Sequence, residues 1–198
     1  VMSSVVPELT NKIIHVTTSL FEKSPVVLGP EIYPNLPIQV MNPYEIGSDL
    51  VSNALAAFTF FRDRCVVVDF GTALTFTTIS AEGEILGVSI APGLKTAIRS
   101  LSQNTAQLFD VPLEMPASVL GRGTVHAIQA GVLFGYEGMV RHMLDRIKSE
   151  LNEPSLRSVA TGGLSSVIPS LSSVFTHMDP TLTLNGLRIV TQIVQQKE

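Results

Sequence analysis

Four short segments carry residue types, in an order, that suit phosphate chemistry. The first is Val66-Val67-Val68-Asp69-Phe70-Gly71-Thr72-Ala73-Leu74-Thr75, an apolar run that reads as a buried strand ending in a carboxylate and a Gly-Thr turn. Gly71 lets a ligand approach the backbone, and successive N–H groups with the hydroxyls of Thr72 and Thr75 can surround a phosphate. Asp69 stands where a cation would bind, and an ordinary hairpin turn capped by an Asp is the competing reading. The second, Ala160-Thr161-Gly162-Gly163-Leu164, stops a β-run at paired glycines, so that a flat base or ribose can lie against backbone. A plain helix start gives the same pattern. The third, Asn42-Pro43-Tyr44-Glu45-Ile46-Gly47-Ser48-Asp49, delivers Asp49 to a helix N-terminus. There a carboxylate either caps the helix or serves as a general base that takes a proton from a hydroxyl attacking a phosphoryl group. In the fourth, Gly121-Arg122-Gly123-Thr124, two glycines leave room for a ligand beside an exposed hydroxyl, with simple N-capping as the alternative.

The elements that must position these segments follow from periodicity. Met2 to Val6 reads as a strand end, stopped by Pro7 and followed by a helix from about Glu8 to His15. Pro25, Pro30, Pro34 and Pro37 permit only a short strand inside a loop over Val26 to Val40. Leu50, Ala54, Leu55, Phe58 and Phe61 form a helical stripe over Asp49 to Arg62. Cys65 to Asp69, Thr72 to Ser80 and Ile85 to Ile90 read as three strands with a turn at Ala81-Glu82-Gly83. Helical spacing returns over Leu94 to Leu108 and Thr124 to Leu151. Val159 to Gly163 is a β-run expected to open another helix, and Leu187 to Gln196 is helical. Such alternation predicts an α/β sheet covered by helices. On the long helix, Val132, Leu133, Tyr136, Met139, Val140, Met143 and Leu144 cover more of the circumference than one core-facing stripe needs, which predicts a second buried face at a twofold interface.

Composition narrows the function classes. The 198 residues are 45% hydrophobic and 15% charged with a net charge of −4, as in a compact folded protein. Without clustered Lys or Arg there is no footprint for a nucleic-acid backbone, so nucleic acid is not an expected partner. The longest apolar stretch, Leu55 to Phe61, is far short of the ~20 residues of a membrane span, so no membrane is expected either. No basic and apolar leader is legible in the opening residues. A single cysteine, Cys65, reads as a buried thiol suited to a reducing compartment such as the cytoplasm. His15, His126, His142 and His177 are too far apart in sequence for a metal pattern. The chain opens on Val1 rather than Met, which predicts residues upstream.

In order, S-S-V-V-P, N-P-x-E-I-G-x-D, V-V-D-F-G-T-A, A-P-G, G-x-x-T-x-x-x-I-Q-x-G, F-G-Y-x-G, A-T-G-G-L and D-P-x-L-T-L-x-G-L resemble the type III pantothenate kinases along nearly the whole chain. That resemblance implies two ribonuclease H-like domains of the actin-like ATPase superfamily, residues 1–62 being the remainder of an N-terminally incomplete first domain and 63–198 the second. It implies ATP-dependent phosphorylation of pantothenate to 4′-phosphopantothenate, the first step toward coenzyme A, with Mg²⁺, a monovalent cation (K⁺ or NH₄⁺) and a homodimer. By the same resemblance Asp49 is the catalytic base and Asp69 the cation ligand. Gly71 and Thr72 contact ATP, and Gly162 and Gly163 are the adenosine motif. Gly47, Ser48, Asp49 and Leu50 line the pantothenate pocket, and Thr124 adds a contact near the dimer interface. Leu50 stands where the family has an Arg, and Val40 where many members have a Tyr. The family's first phosphate motif, D-x-G-N-T, would precede Val1, so residues 1–198 alone are expected to be catalytically poor. A non-catalytic homologue with a binding or regulatory role, as in proteins first described as Bvg accessory factors, and a different small-molecule kinase of the superfamily are the alternatives.

Overall fold

The computed structural model describes residues 1–104 and 110–196. Its elements are α1 (Pro7–Phe21), α2 (Ser48–Phe61), β1 (Cys65–Phe70), β2 (Ala73–Ile79), β3 (Ile85–Pro92), α3 (Leu94–Asn104), α4 (Thr124–Glu150), β4 (Arg157–Thr161), β5 (His177–Met178) and α5 (Leu182–Gln195), with single 3-10 turns at Tyr33–Asn35 and Pro169–Leu171. The five strands form one sheet in the order β3-β2-β1-β4-β5, with β4 and β5 parallel and Val159 opposite His177. The fold is α/β, as the alternation of periods predicts.

Two compact units are present, and neither is a single stretch of chain. Unit 1 comprises Val1–Cys65, Thr77–Gly87 and Thr181–Glu198; unit 2 comprises Val66–Phe76 and Val88–Pro180.

In unit 1, Pro7 starts α1 because its locked φ suits the first helical position and its missing N–H is not needed there. The strand expected over Met2 to Val6 is reduced to one parallel bridge, Met2 to Val27. Gly29 and Pro30 end the partner segment before a ladder can extend. Helix α2 is buried nearly all round from Ser48 to Ala57 rather than along one stripe. One side meets α5, where Gly186 lies so close to Ser52 that a Cβ would strike its backbone. The Ser52 hydroxyl donates to the Thr183 carbonyl at 2.8 Å, and the Thr183 hydroxyl donates to Asn53 Oδ1 at 2.7 Å. These bonds satisfy polar groups that would be costly to bury alone. Gly83 turns β2 into β3 with φ +86°, while the Ser80 hydroxyl accepts the N–H groups of Glu82 and Glu84.

In unit 2, Val66, Val68 and Phe70 on alternate positions of β1 join Leu74 and Phe76 of β2 in one core, closed by Leu94 and Ile98 of α3 and by Leu133, Val140 and Leu144 of α4. Replacing Leu133 or Leu144 by Ala would cost about 2–5 kcal/mol through lost burial and the cavity left behind. Met139 and Met143 are half-buried against this same core. Part of the apolar surface on α4 is thus packed within unit 2, and the remainder of these two side chains stays accessible. The Tyr136 hydroxyl donates to the Pro92 carbonyl at 2.6 Å, and burial raises its pKa above the usual value. Helix α3 runs to Asn104; the remainder of the helix expected to Leu108 lies outside the described residues. The helix expected after Gly163 does not form: turns lead to a single 3-10 turn at Pro169–Leu171. Serines at 165 and 166 compete for backbone groups, and Pro169 removes a donor and disfavours helix before it.

Candidate active site

Unit 1 carries Asp49 in the first turn of α2, with Gly47 as N-cap. The Leu50 N–H donates to Asp49 Oδ1 at 3.0 Å. A Cβ on Gly47 would collide with that same oxygen, so glycine is what lets the carboxylate fold back over the helix start. Tyr33, only 4% exposed, senses it: burial first, then the negative charge of Asp49, raise the Tyr33 hydroxyl above its usual pKa. The Ser48 and Ser3 hydroxyls bond to each other at 2.7 Å. Leu50 is buried in the unit, and Val40 is half-buried.

In unit 2, Asp69 near the end of β1 faces Gly162, which follows β4 with φ +90°. A Cβ on Gly162 would lie 2.5 Å from Asp69 Oδ1 and 2.7 Å from the Phe70 carbonyl oxygen. The Gly71-Thr72 turn is closed by the Gly71 N–H donating to the Ala73 carbonyl at 3.1 Å. It is also tied to the start of α3: the Gly93 N–H and the Thr96 hydroxyl both donate to the Thr72 carbonyl, at 2.9 and 2.7 Å. That leaves the Thr72 side chain exposed. A cavity of about 310 Å³ opens here, lined by Gly71, Thr72, Lys95, Arg99, Gly163 and Leu164 among others. The structure thus brings together two of the segments singled out in the sequence, and adds Lys95, Thr96 and Arg99, which sequence reasoning missed. Their signal was a Lys and an Arg one helical turn apart just after Ala91-Pro92-Gly93.

These residues fit a nucleotide and a monovalent cation. The exposed Thr72 and Gly163 beside the Gly71 turn suit phosphate and sugar oxygens. Thr75 of β2 and Thr161 of β4 have buried hydroxyls with no hydrogen-bond partner among the described residues. Neutral oxygens on the strands flanking a carboxylate-bearing β1 suit a hard cation.

Thr124 is elsewhere in unit 2. It opens α4 after Gly123 and lines a second, mostly apolar cavity of about 620 Å³ with Leu101, Ala127, Ile128 and Val132, which shares no lining residue with the first. A Cβ on Gly121 would run into the backbone of Ala127. Among the described residues, no helix is long and apolar enough to cross a membrane.

The architecture is that of a known α/β class: the structure superposes with a TM-score of 0.63 on a conserved Campylobacter jejuni protein of the Baf family, described as a proposed transcriptional activator, over 97% of this chain and 81% of that one at 18% identity. At that identity the likeness shows a shared fold. Sequence comparison is more specific. The family model for type III pantothenate kinase matches residues 1–146. Curated proteins named type III pantothenate kinase are 48% identical in Treponema pallidum, over 98% of this chain and 71% of the relative. One from Dehalococcoides mccartyi is 40% identical over 98% and 75%, and one from Anaeromyxobacter dehalogenans 44% over 96% and 74%. The chain belongs to the type III pantothenate kinase family.

Proposed function

We propose that the protein transfers the γ-phosphoryl group of ATP to pantothenate, giving 4′-phosphopantothenate and ADP, the first step of coenzyme A biosynthesis. The observation that carries this reading is the match to curated pantothenate kinases over nearly the whole chain.

Asp49 acts as general base, taking the proton of the primary hydroxyl as its oxygen bonds to the γ-phosphorus and the bond to the β-phosphate oxygen breaks. Its hydrogen bond from the Leu50 N–H and the bare Gly47 beneath it hold one carboxylate oxygen, leaving the other to accept. Gly47, Ser48 and Leu50 line the pantothenate pocket. Leu50 offers no donor to the substrate carboxylate, so that group is held elsewhere, and Thr124 is the other assigned contact. Gly71 and Thr72 meet phosphate, and Gly162 and Gly163 meet adenosine. Asp69, with the unpartnered hydroxyls of Thr75 and Thr161, would hold K⁺ or NH₄⁺, which adds fixed positive charge beside the phosphates. Mg²⁺ would enter on the nucleotide's own phosphates.

The domain assignment to 1–62 and 63–198, a cytoplasmic setting and a homodimer belong to the same proposal. For the dimer, the outward face of α4 carries Gly131, Gly135 and Gly138, where an added Cβ meets nothing within 4 Å, so a second helix could approach closely.

Incubation with ATP and pantothenate, followed by mass spectrometry, tests the reaction: a product heavier by one phosphoryl group on pantothenate is expected. Phosphorylation of a different acceptor only would favour another small-molecule kinase. ATP binding with no turnover on any acceptor would favour a non-catalytic homologue.

A further inference from the structure

We propose that Lys95 and Arg99 of α3 bind the polyphosphate tail of ATP, an assignment that rests on the kinase reading of the same cavity. Both side chains line the cavity that also presents Gly71, Thr72 and Gly163. Their placement is electrostatically unfavourable in the free protein on three counts. They are like charges one turn apart on a helix, which repel. Lys95 sits in the first turn of α3, where the helix dipole disfavours a cation, and no acidic residue in that turn offsets it. Neither side chain forms an ion pair among the described residues.

A polyanion relieves all three at once. The pair presents a planar fork and a point charge, which together can meet oxygens on two successive phosphates, more than a single carboxylate needs. Register with the phosphate turn is built in, because the Gly93 N–H and the Thr96 hydroxyl tie the start of α3 to the Thr72 carbonyl. Gly163 and Leu164 line the same cavity, so adenosine and the tail have adjoining places.

The test compares the wild-type enzyme with Lys95→Gln, Arg99→Gln and the double variant, by titration calorimetry with ATP, with inorganic tripolyphosphate and with adenosine, alongside KM for ATP and for pantothenate. Each single change is expected to weaken ATP and tripolyphosphate roughly tenfold, and the double change roughly a hundredfold, the scale of hydrogen bonds to charged groups. Adenosine affinity and KM for pantothenate should not move. The charge-conserving variant Lys95→Arg should bind tripolyphosphate like wild type, which separates loss of charge from loss of fold. Unchanged ATP and tripolyphosphate affinity in the double variant, or a rise confined to KM for pantothenate, would overturn the assignment while leaving the kinase reading intact. Loss of tripolyphosphate binding in the double variant of a protein that phosphorylates no pantothenate would support the assignment and remove the kinase reading.

Discussion

Gly162 stands over Asp69 with no room for a side chain: a Cβ would come within 2.5 Å of the Asp69 Oδ1 atom, at a backbone φ of +90° that other residues rarely adopt. The loop after β4 is therefore shaped around the Asp69 carboxylate near the end of β1. Gly162→Ala must displace either the Asp69 side chain or the Phe70 backbone, and adds conformational strain of about 1–3 kcal/mol. Thermal denaturation should show a lower Tm, and the ratio of rates in K⁺ and Na⁺ buffers should shrink toward that of Asp69→Asn. Equal rates of the wild type in both salts would remove the cation site.

Asp49→Asn keeps the size of the side chain and its oxygen toward the Leu50 N–H but removes the proton acceptor. Turnover should fall by about two to four powers of ten, with Tm nearly unchanged because the group is only half-buried and its helix-start bond survives. Full activity in that variant would take Asp49 out of the mechanism.

The dimer can be probed on the glycine face of α4 without touching the core. Gly135→Asp adds a side chain into open space, and a twofold contact would double each added charge. Sedimentation should give a dimer for the wild type and a particle near 21.3 kDa for the variant. Met139→Asp, by contrast, should lower stability, since Met139 packs on its own unit's core. A wild type that sediments as a monomer at micromolar concentration would rule the dimer out.

Cys65 is fully buried, and burial, followed by the negative charge of Asp63, pushes its thiol up to about 12. The nucleophile is the thiolate, so alkylation in mildly alkaline buffer should be very slow until denaturant unfolds the chain. Because the folded pKa lies above the ordinary value of 9.0, this thiol's contribution to stability is complete below that pH. It is lost progressively as pH rises from there toward 12. Rapid labelling of native protein would contradict the burial.

Residues that act through local periodicity were legible in the sequence. The Val-rich run into Asp69-Phe70-Gly71-Thr72 is a strand and turn in the structure, and Ser48–Phe61 and Thr124–Glu150 are helices within one residue of where the spacing puts them. Strand and helix periods are set by near neighbours, so a window of ten to fifteen residues contains the information. The motif order likewise sufficed to place the chain in its family. The failure was a local signal overruled by chemistry: no helix follows Gly163, since serines and Pro169 oppose it. What only the tertiary structure decided is which distant segments share a cavity. Lys95 and Arg99 meet the Gly71-Thr72 turn because Gly93 and Thr96 bond to the Thr72 carbonyl. Gly162 meets Asp69 because of where the sheet order places β4 and β1. Sheet order and helix seating depend on burying apolar faces between segments far apart in the chain, a property of the whole core that no short stretch of residues encodes.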